Sequence, residues 1–336
     1  MKRLKVVQIG LGHDHAIAAL DNLLSLSDLF EVVGYVFVDD GEQANSRINS
    51  SSLKNLKRLT LDEAFSISDL DCAVIETDDS NLTKYAKLAL ERGLHVHMDK
   101  PGSQNEEEFN CMVDLAKSKG LVFHTGYMFR YNPIIKKAVE LIKNGDIGDV
   151  YSIEAQMSCY LNESKRAWLK SFKGGMMNFL GCHLIDLILN IKGAPNKVIP
   201  LNTVSRADIG GEDIGFAVLQ YDNCIATVKV NGMEVGGPMR RKLIIVGEKG
   251  SIEINPIEYP SGEVNLLQST MKVAYAKDNT WFINPEPTVS EPFDRYYDMF
   301  SEFSGIVNGE VESTYSYEYE KYLHNVVLQA CGSTKK

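Results

Sequence analysis

Up to about residue 125, short apolar runs alternate with longer amphipathic stretches. Runs at Leu4–Ile9, Val32–Val38, Cys72–Glu76, Leu94–Met98 and Val122–Thr125 predict strands. Helical spacing falls between them, at His13–Leu26, Asn81–Arg92 and Gln104–Ser118. Gly93 and Gly120 stand where left-handed C-caps belong. Strands that alternate with helices imply a parallel sheet covered on both faces. Its ligands then bind at the carboxyl ends of the strands.

The pattern changes beyond that point. Asn132–Lys143 predicts a helix, with Pro133 in its first turn and Asn144-Gly145 as its stop. The period shortens to two over Val150–Tyr160, Lys197–Arg206, Ile214–Tyr221, Ile225–Val230, Lys242–Val246 and Ser251–Ile254, as half-buried strands require. Tyr221–Cys224 and Gly247–Gly250 predict hairpin turns. Met176–Leu189 predicts a helix among these strands, Arg295–Val307 and Tyr317–Ala330 predict closing helices, and Ser261–Pro292 predicts an irregular surface segment. The fold class expected is α/β: a Rossmann (doubly wound parallel sheet) domain over residues 1–125, then an α+β domain over 126–336. The second domain is built on a large, mainly antiparallel open sheet with its helices on one side.

A chain of 336 residues is long enough for two such cores. The net charge of −10 disfavours nucleic acid or an anionic membrane as partner. Six cysteines without C-x-x-C spacing predict reduced, mostly buried thiols. With neither a leader-like apolar segment nor a spanning one, the expected location is cytoplasmic.

The first predicted strand runs into Gly10-Leu-Gly12, ahead of a helix. Gly10 permits a tight turn and Gly12 lets backbone approach a pyrophosphate at the helix start. The third position of this fingerprint is His15, so the helix sits further out or the imidazole finds its own space. With two glycines alone, a plain strand-to-helix turn stays open. Asp99-Lys100-Pro101 follows the strand Leu94–Met98. This places Lys100 at a carboxyl strand end, where an ammonium can stabilise a developing alkoxide; the other reading is a surface lysine in a turn. His183 and Asp186 are three apart on a predicted helix. That spacing suits a carboxylate-oriented general base, or a core histidine tied to its own helix. Arg130 faces a cleft or pins the passage into the second domain. His13/His15 and His95/His97 suggest metal ligands, but no cysteine or carboxylate cluster completes a four-ligand spacing, so no metal is expected. Tyr315, Tyr317, Tyr319 and Tyr322 are expected to pack or to meet another subunit.

Taken in order, these motifs resemble the Gfo/Idh/MocA family of NAD(P)-dependent sugar and polyol dehydrogenases. The residues that carry the resemblance are Ile9–Gly12, Ala89–Pro101, Gly126–Pro133, Asn144–Gly148, Gly174-Gly175 and Gly181-x-His183-x-x-Asp186. The resemblance implies catalytic roles for Lys100 and His183, a substrate site lined by Arg130, His183 and Asp186, and Thr77 beside the cofactor; Asp186 is expected to join the catalytic set by orienting His183. Cofactor contacts are expected from Gly10, Gly12, His13, His15, Thr77 and Lys100. It also implies homo-oligomers formed through the C-terminal sheet. The chain departs from the family pattern in three places. Phe179 stands where an Asp is common, Asp78-Asp79 where Pro-Asn usually follows the threonine, and Phe37 where an acidic residue meets the adenosine ribose, with Asp39 close but offset.

The expected function is therefore an NAD(P)-dependent oxidoreductase, a dehydrogenase acting on CH–OH groups of a sugar, polyol or inositol-like substrate. NAD is slightly preferred over NADP. Gln156, Met157 and the residues around Arg166 and Trp168 are expected to select the substrate. Two alternatives stay open: an NAD-assisted lyase or glycosidase that oxidises its substrate transiently, and a non-catalytic sugar or nucleotide sensor.

Overall fold

The structure, a computed structural model, describes residues 2–38, 42–277 and 284–333. Two compact units divide the chain. The first comprises residues 1–127 and 296–324, the second 128–295 and 325–336. The single boundary expected near residue 126 is thus joined by further crossings near residues 295 and 324. Residues 296–324 pack with the first unit because Phe300 and Phe303 sit against Phe30 and His97 there.

In the first unit, β1 (Leu4–Ile9), α1 (Ala16–Ser25), β2 (Phe30–Val36), α2 (Glu42–Arg47), β3 (Arg58–Leu59), α3 (Leu61–Phe65), β4 (Cys72–Ile75), α4 (Leu82–Glu91), β5 (His95–Met98), α5 (Glu106–Lys119) and β6 (Phe123–Thr125) follow one another. The six strands are parallel, in the order β3-β2-β1-β4-β5-β6, which is the doubly wound order with its switch point beside β1. β4 is buried along its whole length, as a sheet covered on both faces requires. Local chemistry sets the helix ends. Asn105 accepts from the Glu107 and Glu108 N–H groups at the start of α5, and Gly120 ends it at φ +64°. Such an N-cap contributes about 1 kcal/mol. The Thr60/Glu63 capping box starts α3 in the same way.

The second unit opens with α6 (Pro133–Lys143), capped by the Asn132 side chain. β7 (Val150–Gln156), α7 (Glu163–Trp168), a π-helical turn over Met177–Gly181 and α8 (Cys182–Lys192) follow. Then come β8 (Lys197–Thr203), β9 (Ile214–Gln220), β10 (Ile225–Asn231), β11 (Lys242–Gly247), β12 (Gly250–Ile254), β13 (Tyr259–Pro260), β14 (Leu267–Gln268), β15 (Thr270–Tyr275) and β16 (Thr288–Val289). Eight strands form one sheet in the order β16-β15-β12-β11-β7-β10-β9-β8. All its pairs are antiparallel except β7 with β10. The Ser261–Pro292 segment is not irregular throughout, since β15 and β16 extend the sheet from it. The remaining helices are α9 (Tyr297–Val307) and α10 (Tyr317–Ala330).

Candidate active site

The first unit gathers its chemistry at the carboxyl ends of β1, β4 and β5. Gly10 has φ +94°, and a Cβ there would lie 2.5 Å from the Thr77 methyl and 2.6 Å from Thr77 backbone atoms. Only glycine lets the turn lie this close to Thr77. Thr77 therefore adjoins the glycine turn, and the N-terminus of α1 follows directly. Arg47, at the end of α2, braces the same turn. Its guanidinium donates to the carbonyls of Leu11 (2.9 Å) and Gly12 (2.8 Å) and to the Asp14 carboxylate (2.9 Å). A glycine turn at a helix start is the kind of place that receives a dinucleotide pyrophosphate.

The histidines of this turn find a partner that sequence spacing did not offer. His13 Nδ1 and His15 Nδ1 lie 2.9 Å and 2.8 Å from the same oxygen, Oδ2 of Asp99. The imidazole at the third fingerprint position thus occupies its own space, edged by Tyr296 and the His13 ring. The other Asp99 oxygen accepts from the Lys100 backbone N–H at 2.7 Å. Glu76, which closes β4, is fully buried, with Oε2 3.6 Å from His13 Nδ1. Burial, then the Asp99 charge and a carboxyl–carboxyl contact, hold Glu76 well above the usual carboxylate range. Burial also opposes ionisation of Asp99, but His13 and His15 outweigh it and hold Asp99 well below that range. Burial lowers His15 despite its carboxylate partner. Lys100 is 1 % exposed, so it is not the surface lysine of the alternative reading.

His95 and His97 part company. His95 Nδ1 accepts from the Val122 N–H, while His97 meets His124 at 2.8 Å against Phe300 and Phe303. Tyr317 donates to the Leu121 carbonyl, and the Tyr315 and Tyr319 rings lie 5.2 Å apart. Asp39 lies outside the described residues.

In the second unit, His183 stands in the first turn of α8 at 1 % exposure, with the Phe129 ring 5.5 Å from its own. Asp186, expected to orient it, gives its carboxylate to Arg130. Arg130 Nε donates at 3.1 and 3.0 Å to the two oxygens, and Nη2 donates at 2.7 Å. Phe179 lies in the π turn, 5.4 Å from the Trp168 ring, and Lys165 Nζ sits 3.6 Å over that indole. Arg166 is buried 3.4 Å from Asp213, and Gln156 donates to Glu234. Gly175, at φ +42°, leaves no room for a Cβ, which would meet the Glu212 carbonyl oxygen at 2.2 Å. The resemblance noted Gly174-Gly175 as a motif, and this packing is its reason.

Sequence reasoning missed Glu76, Asp79, Asp99 and Arg47. The one available signal was an acidic residue closing or following each of two apolar strands. Arg47 carried none, because its role depends on how the chain returns after β2.

A doubly wound unit with a glycine turn, followed by a unit with a large open sheet, defines a dinucleotide-dependent enzyme class. Residues 4–127 match the oxidoreductase family with an NAD-binding Rossmann fold, and residues 135–253 match the GFO/IDH/MocA C-terminal domain. The chain belongs to the Gfo/Idh/MocA family of NAD(P)-binding oxidoreductases. An uncharacterized oxidoreductase of Schizosaccharomyces pombe is 26% identical over 307 residues, covering 87% of this chain and 83% of its own. The 2,7-anhydro-N-acetylneuraminate hydratase of Escherichia coli is 23% identical over 255 residues, 74% of this chain and 66% of its own. A 3-ketoreductase of Actinomadura kijaniata, solved with NADP and TDP-benzene, shares the fold. Its TM-score is 0.80 at 17% identity, covering 97% of this chain and 96% of that one. Among the described residues, no helix is long and apolar enough to cross a membrane.

Proposed function

We propose that the protein is an NAD(P)-dependent dehydrogenase of a secondary alcohol on a sugar, polyol or inositol-like substrate. One observation carries this reading: Lys100 is buried at the carboxyl end of β5, in the unit that matches the NAD-binding family. Burying an ammonium is costly, and the carboxyl ends of the strands are where a doubly wound sheet places its ligands. Lys100 hydrogen-bonds the substrate oxygen and stabilises negative charge as it develops there. His183 takes the hydroxyl proton. Asp186 acts as a positioning residue through its bond to Arg130, which fixes both side chains beside α8. Gly10, Gly12, His13, His15, Thr77 and Lys100 hold the dinucleotide. When bound, its nicotinamide accepts the carbon-bound hydrogen as hydride.

Phe37 offers no charge to the adenosine ribose, but the Arg58 guanidinium lies 4.9 Å over its ring. A cation there suits the 2′-phosphate of NADP, which turns the slight preference for NAD read from the sequence toward NADP. The open face of the eight-stranded sheet carries Ile199, Leu201, Phe216, Val218, Ile225 and Ile244, all partly or well exposed. We place the contact between copies of the chain on that face.

A spectrophotometric screen of sugars, polyols and inositols with both oxidised cofactors tests the activity. Full turnover by both Lys100→Met and His183→Ala variants on a confirmed substrate refutes the assigned roles. The hydratase relative keeps a second reading in play, in which oxidation is transient and elimination follows. Product formed without net accumulation of reduced nicotinamide selects that reading.

A further inference from the structure

Two carboxyl groups and two imidazoles crowd one point in the first unit, and a pyrophosphate site does not by itself account for them. His13 Nδ1, His15 Nδ1 and Asp99 Oδ2 all lie within 4.8 Å of one another, and Glu76 Oε2 stands next to them. His13, Asp99 and Glu76 are each at least 98 % buried. Besides the Asp99 oxygen, His13 Nδ1 meets the His15 N–H at 3.3 Å, and neither Glu76 oxygen has a hydrogen-bond partner. His13 Nε2 is likewise without a partner, 3.9 Å from Asp79 Oδ1, which is also unbonded and buried.

We infer that His13, His15 and Asp99, with Glu76 as the adjoining fourth group, form a binding site for one first-row divalent transition-metal ion. Two imidazoles and a carboxylate are the donor set that such ions take. Bonds of about 2.0–2.2 Å in a tetrahedron hold ligand atoms about 3.3 Å apart. The present 2.8 and 2.9 Å separations need to open by about half an ångström, within reach of side-chain rotation. The surrounding groups are those of a ligand shell. The Lys100 N–H fixes the far oxygen of Asp99, and Asp79 stands where the Nε2–H of a metal-bound His13 would donate. The inference does not rest on the alcohol-oxidation reading, and its test reads binding and not turnover.

The test uses the full chain after treatment with a chelator. Co²⁺ is added while visible d–d absorption is followed, and Zn²⁺ is titrated by calorimetry. About one equivalent should bind, with the intensified absorption of a low-coordinate cobalt site. His15→Asn, at the least buried ligand, should abolish the cobalt spectrum, and its circular dichroism shows whether the fold persists. Asp79→Asn should keep the stoichiometry and weaken affinity by about 10–100-fold. His95→Gln, outside the cluster, should change neither. The inference is overturned if the wild-type chain takes up no stoichiometric Co²⁺ or Zn²⁺. Uptake that His15→Asn and His13→Ala leave unchanged overturns it equally, since the ion then binds elsewhere.

Discussion

Replacing Asp186 by Asn tests whether the α8 carboxylate is held for structure or for catalysis. Arg130 and Asp186 have side chains 2 % and 1 % exposed, so their contact is hardly screened by solvent. Three donor–acceptor distances of 2.7–3.1 Å join them. The substitution keeps the shape but takes the negative charge away from a buried guanidinium. Breaking a buried pair from one side typically costs about 3–5 kcal/mol, and the retained amide oxygen puts Asn near the lower figure. A loss of about 3 kcal/mol lowers the melting temperature by about 6–12 °C in a unit of this size. Urea titration or calorimetry of wild type, Asp186→Asn, Arg130→Met and an Arg130→Met/Asp186→Leu double variant measures the coupling. The double variant should recover most of either single loss, because an apolar pair leaves no buried charge behind. Single losses below about 1 kcal/mol, or losses that simply add, refute the reasoning. If stability is kept while the pH profile of turnover shifts, Asp186 acts on the base directly, as the helix spacing first implied.

Gly10→Ala forces a side chain into Thr77 at a positive φ. It should cost about 1–3 kcal/mol in stability and weaken dinucleotide binding, measured by fluorescence titration with NADPH. Arg58→Ala should raise the KM for NADP and leave that for NAD unchanged; equal effects on both remove Arg58 from the ribose site. Lys100→Met should lower kcat by about 100-fold or more, with cofactor affinity checked separately. His324 supplies a pH test. Its ring stacks on Phe109, its Nε2–H donates to the Ser103 carbonyl at 2.6 Å, and burial pushes its pKa down to about 4 from 6.5. The folded state therefore resists the proton that the unfolded chain takes up. Stability is fully present above pH 6.5 and is lost as pH falls toward 4, by about 3 kcal/mol from this group. His324→Phe should flatten that part of the stability profile.

The fold was legible because its two periodicities are clean. β1 and α10 begin and end where the pattern places them, and Gly93 and Gly120 take the positive φ expected of C-caps. The losses have physical causes. β3 has two residues, too few to show a period. β15 lies between Gly262 and the prolines at 285, 287 and 292, a stretch read as irregular. The helix expected over Met176–Leu189 begins with a π turn that no spacing announces. The site was legible where a residue's position follows from its element, as with Gly10 in its turn and Lys100 at the end of β5. It was illegible where the role depends on another element: Asp186 is claimed by Arg130, and His13 and His15 by an aspartate many residues away. Each histidine pair looked the same in sequence, yet only one converges with a carboxylate.

Glu76 and Asp78-Asp79 fall in the turn beside His13 and His15, and Asp99 lies at the neighbouring strand end. A buried acid introduced alone destabilises, because its charge loses solvent without gaining a partner. Added together with imidazoles at bonding distance, the same acid is offset, and the set becomes a local unit whose members depend on one another. Loss of His13 should therefore harm this protein more when Glu76 and Asp99 are present than when Glu76 is first replaced by Ala, the small side chain that needs no neutralisation. The stabilities of His13→Ala, Glu76→Ala and the double variant, measured with and without chelator, expose that dependence. Additivity under both conditions means that the residues only share a neighbourhood. Coupling that persists with chelator marks a proton-sharing network, and coupling that vanishes with it marks an ion as the group that binds them together.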